Sequence, residues 1–198
     1  MQNNPAILTG KSLKKAGLLA LALMLLLSLF GCSTPMSSQP FAIEDITMEQ
    51  LEKKMDDKET FTLLVERDEC NFCNAMNAYM DETKDEHPGI HLYKLNTTAF
   101  ELYRENEGDM TLISSTEEGQ AFLARFPYFL YTPAIYKIKD GKPVDAGIGY
   151  DESRHTVSNW NVDSTIDWNA AKPVDLWSFL REPAKAAPAA ASSASLAK

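Results

Sequence analysis

The chain has 198 residues, with 28 Asp+Glu against 19 Lys+Arg and a net charge of −9. That excess of negative charge argues against a nucleic-acid partner and against electrostatic adhesion to anionic lipid. Between two compositionally biased ends lie about 140 residues, enough for one domain with a proper core.

Lys11, Lys14 and Lys15 form a basic n-region ahead of an apolar run from Gly17 to Phe30. At about 14 residues the run is too short for a comfortable transmembrane helix, which needs ~20, and it fits a secretory h-region. It closes in Leu29-Phe30-Gly31-Cys32, which resembles a bacterial lipobox, where the cysteine after a small residue is lipidated and becomes the new N-terminus. The expectation is a lipoprotein signal peptide over 1–31, lipidation at Cys32, and a small polar tether over 32–40. A plain signal peptide or an uncleaved anchor, with an incidental Cys32, is the alternative. Removing 1–31 takes away three lysines and no acids, leaving 16 Lys+Arg against 28 Asp+Glu and a charge of −12. The lipid, rather than charge, would then hold the protein at the bacterial cell membrane, facing outside the cytoplasm.

Further along, Thr47-Met48-Glu49-Gln50 reads as a capping box, with Met48, Leu51 and Met55 on one face of a helix near 47–57. The apolar run 61–67 is bounded by charge and reads as a buried strand. A helix from Cys70 to about Glu82 carries Phe72, Cys73, Met76, Tyr79 and Met80 on one face. Pro88-Gly89 stops the chain before a second strand at 90–95. Residues 96–114 are read as an insertion with a short helix around 99–106. Ser115 and Glu118 read as a second capping box, opening a helix with Ala121, Phe122 and Phe126 on its apolar face. Asp140-Gly141 is the turn of a hairpin in which Val144, Ala146, Ile148 and Tyr150 alternate with Asp145, Gly147 and Gly149. Residues 151–172 are irregular but hold Trp160 and Trp168, which either pack on the sheet edge or cover part of a binding surface. A helix near 174–182 closes the domain, and 183–198 is an Ala/Pro/Ser tract read as disordered. From the first strand onward the order is β-α-β-α-β-β-α.

Cys70 and Cys73 sit at the junction of the first strand and its helix. Three readings are open for the pair. Cys70-x2-Cys73-x13-His87-x3-His91 approaches a zinc-finger spacing, but Pro88-Gly89 breaks the helix that should carry both histidines. A copper site using Met76 and Met80 competes with their plainer role as core residues, and His155 reads as a solvated loop histidine. A structural disulfide gains little chain entropy across so short a loop. A redox pair uses the position directly, because a helix N-terminus lowers the pKa of its first cysteine and leaves the second one turn beneath it. Neither metal nor cofactor is called for.

The element order, with "CNFC" opening the first helix of the unit and "YTP" leading into the hairpin, resembles the thioredoxin family over roughly residues 41–182. The resemblance implies an α/β, thioredoxin-like fold, a central mixed sheet flanked by helices, with insertions. It implies that Cys70 is the exposed nucleophile and Cys73 the buried resolving thiol. Pro133 would be a cis-proline facing them, with Thr132 free to grip a substrate backbone and Phe72 contributing to the substrate surface. Glu69 stands where thioredoxins place a tryptophan, Asn71-Phe72 where they place Gly-Pro, and Leu64 where they bury an acid. Glu66 is the candidate to replace that acid as proton acceptor from Cys73. Asp68 and Glu69 either bias the pair toward donating electrons, by opposing the thiolate, or form a solvated charge run. The expected function is thiol–disulfide exchange with cysteine-containing exported proteins, and a reductant would draw electrons from a membrane thiol carrier. The alternative is a non-catalytic binding or accessory lipoprotein with an inert Cys70–Cys73 disulfide.

Overall fold

A computed structural model of the protein describes residues 39–183. The signal peptide, Cys32 and most of the tether expected at the N-terminus lie outside the described residues, as does the tail from 184 onward. Among the described residues no helix is long and apolar enough to cross a membrane.

The first strand in the chain is β1 (Ala42–Asp45), followed by helix α1 (Met48–Asp56), strand β2 (Phe61–Glu66) and helix α2 (Asn71–Thr83). Thr47 caps α1 through the reciprocal box with Gln50, and Met48, Leu51 and Met55 are its buried face, as the spacing predicts. Strand β3 (His91–Asn96) lies between β1 and β2 and runs parallel to both. After two short strands, β4 (Leu102–Tyr103) and β5 (Ile113–Ser114), come helix α3 (Glu117–Arg125) and the hairpin of β6 (Ala134–Lys139) and β7 (Lys142–Asp151). Strands β8 (Thr156–Trp160) and β9 (Lys172–Asp175) and helix α4 (Leu176–Arg181) complete the domain.

The seven main strands form one sheet in the order β1-β3-β2-β6-β7-β8-β9, antiparallel from β2 onward. It is the mixed α/β sheet flanked by helices that the resemblance implies. Leu63 and Val65 of β2 join the core under α1 and α3, whereas Leu64 joins Met76 and Met80 of α2 and Leu176, Phe179 and Leu180 of α4. Successive side chains of a strand point to opposite faces, so a strand covered on both sides must read as one continuous apolar run. Leu63-Leu64-Val65, fully buried, does so. Lys137 is the exception on β6: it is buried, donates to the Leu180 carbonyl at 2.7 Å, and has its pKa pulled down to about 8 by burial.

Four readings of the sequence are corrected. The insertion at 96–114 contains no helix around 99–106. Instead, a 3-10 turn at Thr98–Phe100 ends on Glu101 in the left-handed region (φ 47°), and β4 pairs with β5 as a small separate hairpin. The cap of α3 is Thr116 rather than Ser115: the Thr116 hydroxyl accepts from the Gly119 N–H, while Ser115 turns its hydroxyl to Glu101. Residues 151–172 are not merely irregular, because β8 adds to β7 and β9 to β8, with Trp160 packed against the core under α1 and α3. The closing helix starts at Leu176, capped by the Asp175 side chain, because 172–175 is already strand β9.

The hairpin turn is where the sequence places it. Asp140 and Gly141 have φ of 50° and 73°, the paired positive values that match the twist of the flanking strands. Gly149 also has a positive φ, 69°, and stands at a register shift in the pairing of β7 with β8. That irregularity turns the strand over. Ile148 points to the α1/α3 side, whereas Tyr150 joins the core under α2 and α4.

Candidate functional site

The end of β2 delivers the chain through Asp68 and Glu69 to the start of α2. Asn96 donates to the Asp68 carboxylate at 2.8 Å, and the Asp68 N–H donates to the Thr98 hydroxyl at 2.7 Å. Asp68 is therefore a fixed part of the approach rather than a free charge. Glu69 has φ of 55°, and this left-handed step turns the chain into the helix.

Cys70 is the N-cap of α2. It is disulfide-bonded to Cys73 with a Cα–Cα distance of 5.2 Å, and its Sγ accepts the Cys73 N–H at 3.2 Å. The first N–H groups of a helix have no intrahelical acceptor. One of them is here aimed at the outer sulfur, the atom that would carry negative charge in the reduced protein. The Thr132–Pro133 peptide is cis, and the Thr132 hydroxyl donates to Cys70 Sγ at 3.4 Å. Cys70, Cys73, Thr132 and Pro133 are thus brought together.

One detail of the expectation is corrected. In the disulfide form Cys70 is only 4% exposed, scarcely more than Cys73 at 2%. Thr132 lies over its sulfur, and the helix N-terminus closes beneath it. Phe72, between the two cysteines, is the exposed residue of the motif, at 61%.

Glu66 lies on the same face of β2 as Leu64, toward α2. It is 6% exposed; one carboxylate oxygen accepts from Asn77 Nδ2 at 3.1 Å, and among the described residues Oε1 has no hydrogen-bond partner. Asn77 follows Cys73 by four residues, one turn along the same side of α2. Burial pushes the Glu66 carboxyl above its ordinary range. A buried carboxyl of raised proton affinity therefore stands under the helix that carries the inner cysteine.

The residues of the zinc reading are separated. His87 lies beyond the far end of α2, a helix of thirteen residues and so about 20 Å long, where it stacks on Trp177. His91 is on β3, facing Glu44 of β1. His155 is not a loose loop residue, since it stacks on Tyr79 and shares a hydrogen bond with the Tyr150 hydroxyl.

Two concavities meet at Phe72, Tyr131 and Thr132, beside the disulfide. A pocket of about 360 Å³ is bounded by Phe72, Tyr131, Thr132, Ile148, Gly149 and Trp168, among others. A groove of about 930 Å³ runs from Arg67 and Glu69 past Thr98 and Arg104 to Leu130, and it shares Phe72, Tyr131 and Thr132 with the pocket. Sequence reasoning flagged Trp168 through its rarity in a loop, but Tyr131 and Gly149 carried no such signal.

No protein-family model and no curated protein matches the chain. Among solved structures it is similar to a thioredoxin of Malassezia sympodialis, with 15% identity, coverage of 58% of this chain and 85% of that one, and a TM-score of 0.35. A likeness of that size carries no argument. The thioredoxin-like description stands on the order and directions of the strands and on a C-x-x-C disulfide at a helix N-terminus, an arrangement consistent with redox chemistry.

Proposed function

We propose that the protein is a thiol–disulfide oxidoreductase that exchanges disulfides with cysteine-containing exported proteins, anchored to the outer side of a bacterial cell membrane by lipid on Cys32. The observation that carries the chemistry is the sulfur of Cys70, which accepts both the Cys73 N–H and the Thr132 hydroxyl. Both donors favour the thiolate over the thiol, because hydrogen bonds to a charged form stabilise that form.

In the reducing direction the Cys70 thiolate attacks one sulfur of a substrate disulfide. The other substrate sulfur leaves with the bond's electron pair and takes up a proton, so that a mixed disulfide links Cys70 to the substrate. Cys73 then loses its proton, with Glu66 as the acceptor, and attacks Cys70 Sγ. The substrate departs with both sulfurs reduced, and the Cys70–Cys73 disulfide is restored. Two electrons have passed to the substrate, and a membrane thiol carrier must return them. Run backwards, the same steps oxidise a dithiol.

The burial of Cys70 favours one competing reading, an accessory lipoprotein whose disulfide is inert. The two cysteines separate the readings. Cys70→Ser should abolish exchange, and Cys73→Ser should accumulate mixed disulfides with substrate, seen as a mass shift that a reductant reverses. Full activity in either variant would contradict the mechanism, and absence of any mixed disulfide in Cys73→Ser would favour the inert clip.

A further inference from the structure

We propose that the pocket beside the disulfide receives a large apolar side chain placed near the reacting cysteine of an extended polypeptide substrate. The inference rests on the oxidoreductase reading and specifies what that site selects.

Three observations point to this occupant. First, the pocket adjoins the reacting atoms, because Thr132 lines it and donates its hydroxyl to Cys70 Sγ. Anything in the pocket is therefore held next to the sulfur. Second, the walls are chiefly aromatic and aliphatic. Trp168, 49% exposed, leans toward Tyr131 with ring centroids 5.4 Å apart, and Ile148 and Phe72 supply further apolar surface. The indole lies against the backbone at Gly149, within ordinary van der Waals reach, and so forms one wall of the pocket. Asp151, Thr156 and Ser158 also line it, on the β7/β8 side, but the larger part of the wall is apolar, and about 360 Å³ suits an aromatic or long aliphatic side chain.

Third, the second groove begins on the other side of the same residues. The order of strands puts β6, with Thr132-Pro133 before it, between β2 and β7. The pocket lies over β7 and β8, and the groove lies over the end of β2 and the 98–104 insertion. A small thiol fills neither. An extended chain crossing above Cys70 occupies both, with its cysteine at the junction. Along such a chain alternate side chains share a face and recur every ~6.6 Å, so the residue two places from the cysteine is the one offered to the pocket.

The test uses the full chain, reduced beforehand with dithiothreitol and freed of it, in single-turnover reactions. The probes are two short cysteine peptides, each joined to glutathione in a mixed disulfide. One has Phe two places before and after the cysteine, and the other has Ala at both places. Cys70 attacks the peptide sulfur and glutathione leaves as a thiol. Cys73 then releases the peptide as a thiol, and the protein ends oxidised. The wild type should consume the Phe peptide at least about tenfold faster, the order that apolar-pocket selection supplies. In Trp168→Ala the ratio of the two rates should fall toward unity. Taking the ratio within each protein cancels any general change in reactivity. Equal rates in the wild type, or a preference that survives Trp168→Ala, would overturn the pocket assignment while leaving the redox reading intact. Reaction with neither peptide nor oxidised glutathione would overturn both.

Discussion

Glu66 is a carboxyl whose surroundings oppose its charge. Among the described residues its Oε1 is buried without a hydrogen-bond partner, and Asn77 donates to the other oxygen. Because burial raises its pKa in the folded state, the folded protein holds this proton more tightly than the unfolded chain does. The resulting stability is complete below the unfolded carboxyl's pKa and is lost as pH rises through the folded value. Glu66→Gln keeps the shape and an acceptor for Asn77 but removes the charge. It should raise the melting temperature at neutral pH and flatten its dependence on pH across that window. It should also prolong the mixed disulfide at least about tenfold, because the inner thiol loses its proton acceptor. Higher stability with an unchanged mixed-disulfide lifetime would make Glu66 a bystander. The sequence pointed to Glu66 only by its spacing from Cys70. That the carboxyl is buried depends on α2 folding back over β2, which no local pattern reveals. The burial of Cys70 escaped for a similar reason, since the group lying over its sulfur, Thr132, is 62 residues away.

The helix starts show which local signals can be read. Thr47 and Gln50 satisfy each other's backbone within four residues, so the capping box of α1 was legible and is present. At α3 two adjacent hydroxyl residues competed, and the insertion decided between them. Ser114 Oγ donates to the Phe100 carbonyl at 2.6 Å and accepts the Thr116 N–H, which leaves Thr116 as the residue aimed at the helix. Thr116→Ala should therefore cost about 1 kcal/mol in a denaturant titration. Ser115→Ala, at an exposed contact, should stay within about 0.5 kcal/mol, and the reverse order would contradict the cap. Strands β1 and β9 were missed because each is a four-residue edge strand with little burial, so neither apolar alternation nor an apolar run marks it. Pro173 also discourages a strand reading, although it is tolerated at an edge, where no ladder donor is needed. Strand β2 was plain because both its faces are covered.

At the scale of the whole domain, the two faces of one sheet have different duties. The α1/α3 side holds the larger apolar core, and the other side sets α2 and its cysteines over Leu64 and Glu66. Two additions to the fold border the concavities beside the disulfide. The 98–104 insertion borders the groove, and β8, together with the segment carrying Trp168, borders the pocket. A site assembled from β2, the Thr132-Pro133 approach and these additions is legible in the sequence in its first two parts, where short motifs mark it, and in the additions only through the rarity of Trp168 in a loop. The central claim is that the Cys70–Cys73 disulfide is exchangeable in the folded protein. Equilibrating the full chain in buffers of varied reduced-to-oxidised glutathione ratio, then alkylating and weighing the peptides containing Cys70 and Cys73, measures this directly. An exchangeable pair gives a reduced fraction that rises smoothly with the ratio and is the same when approached from the oxidised or the reduced side. A disulfide that stays closed at every ratio until the protein is unfolded would contradict the claim.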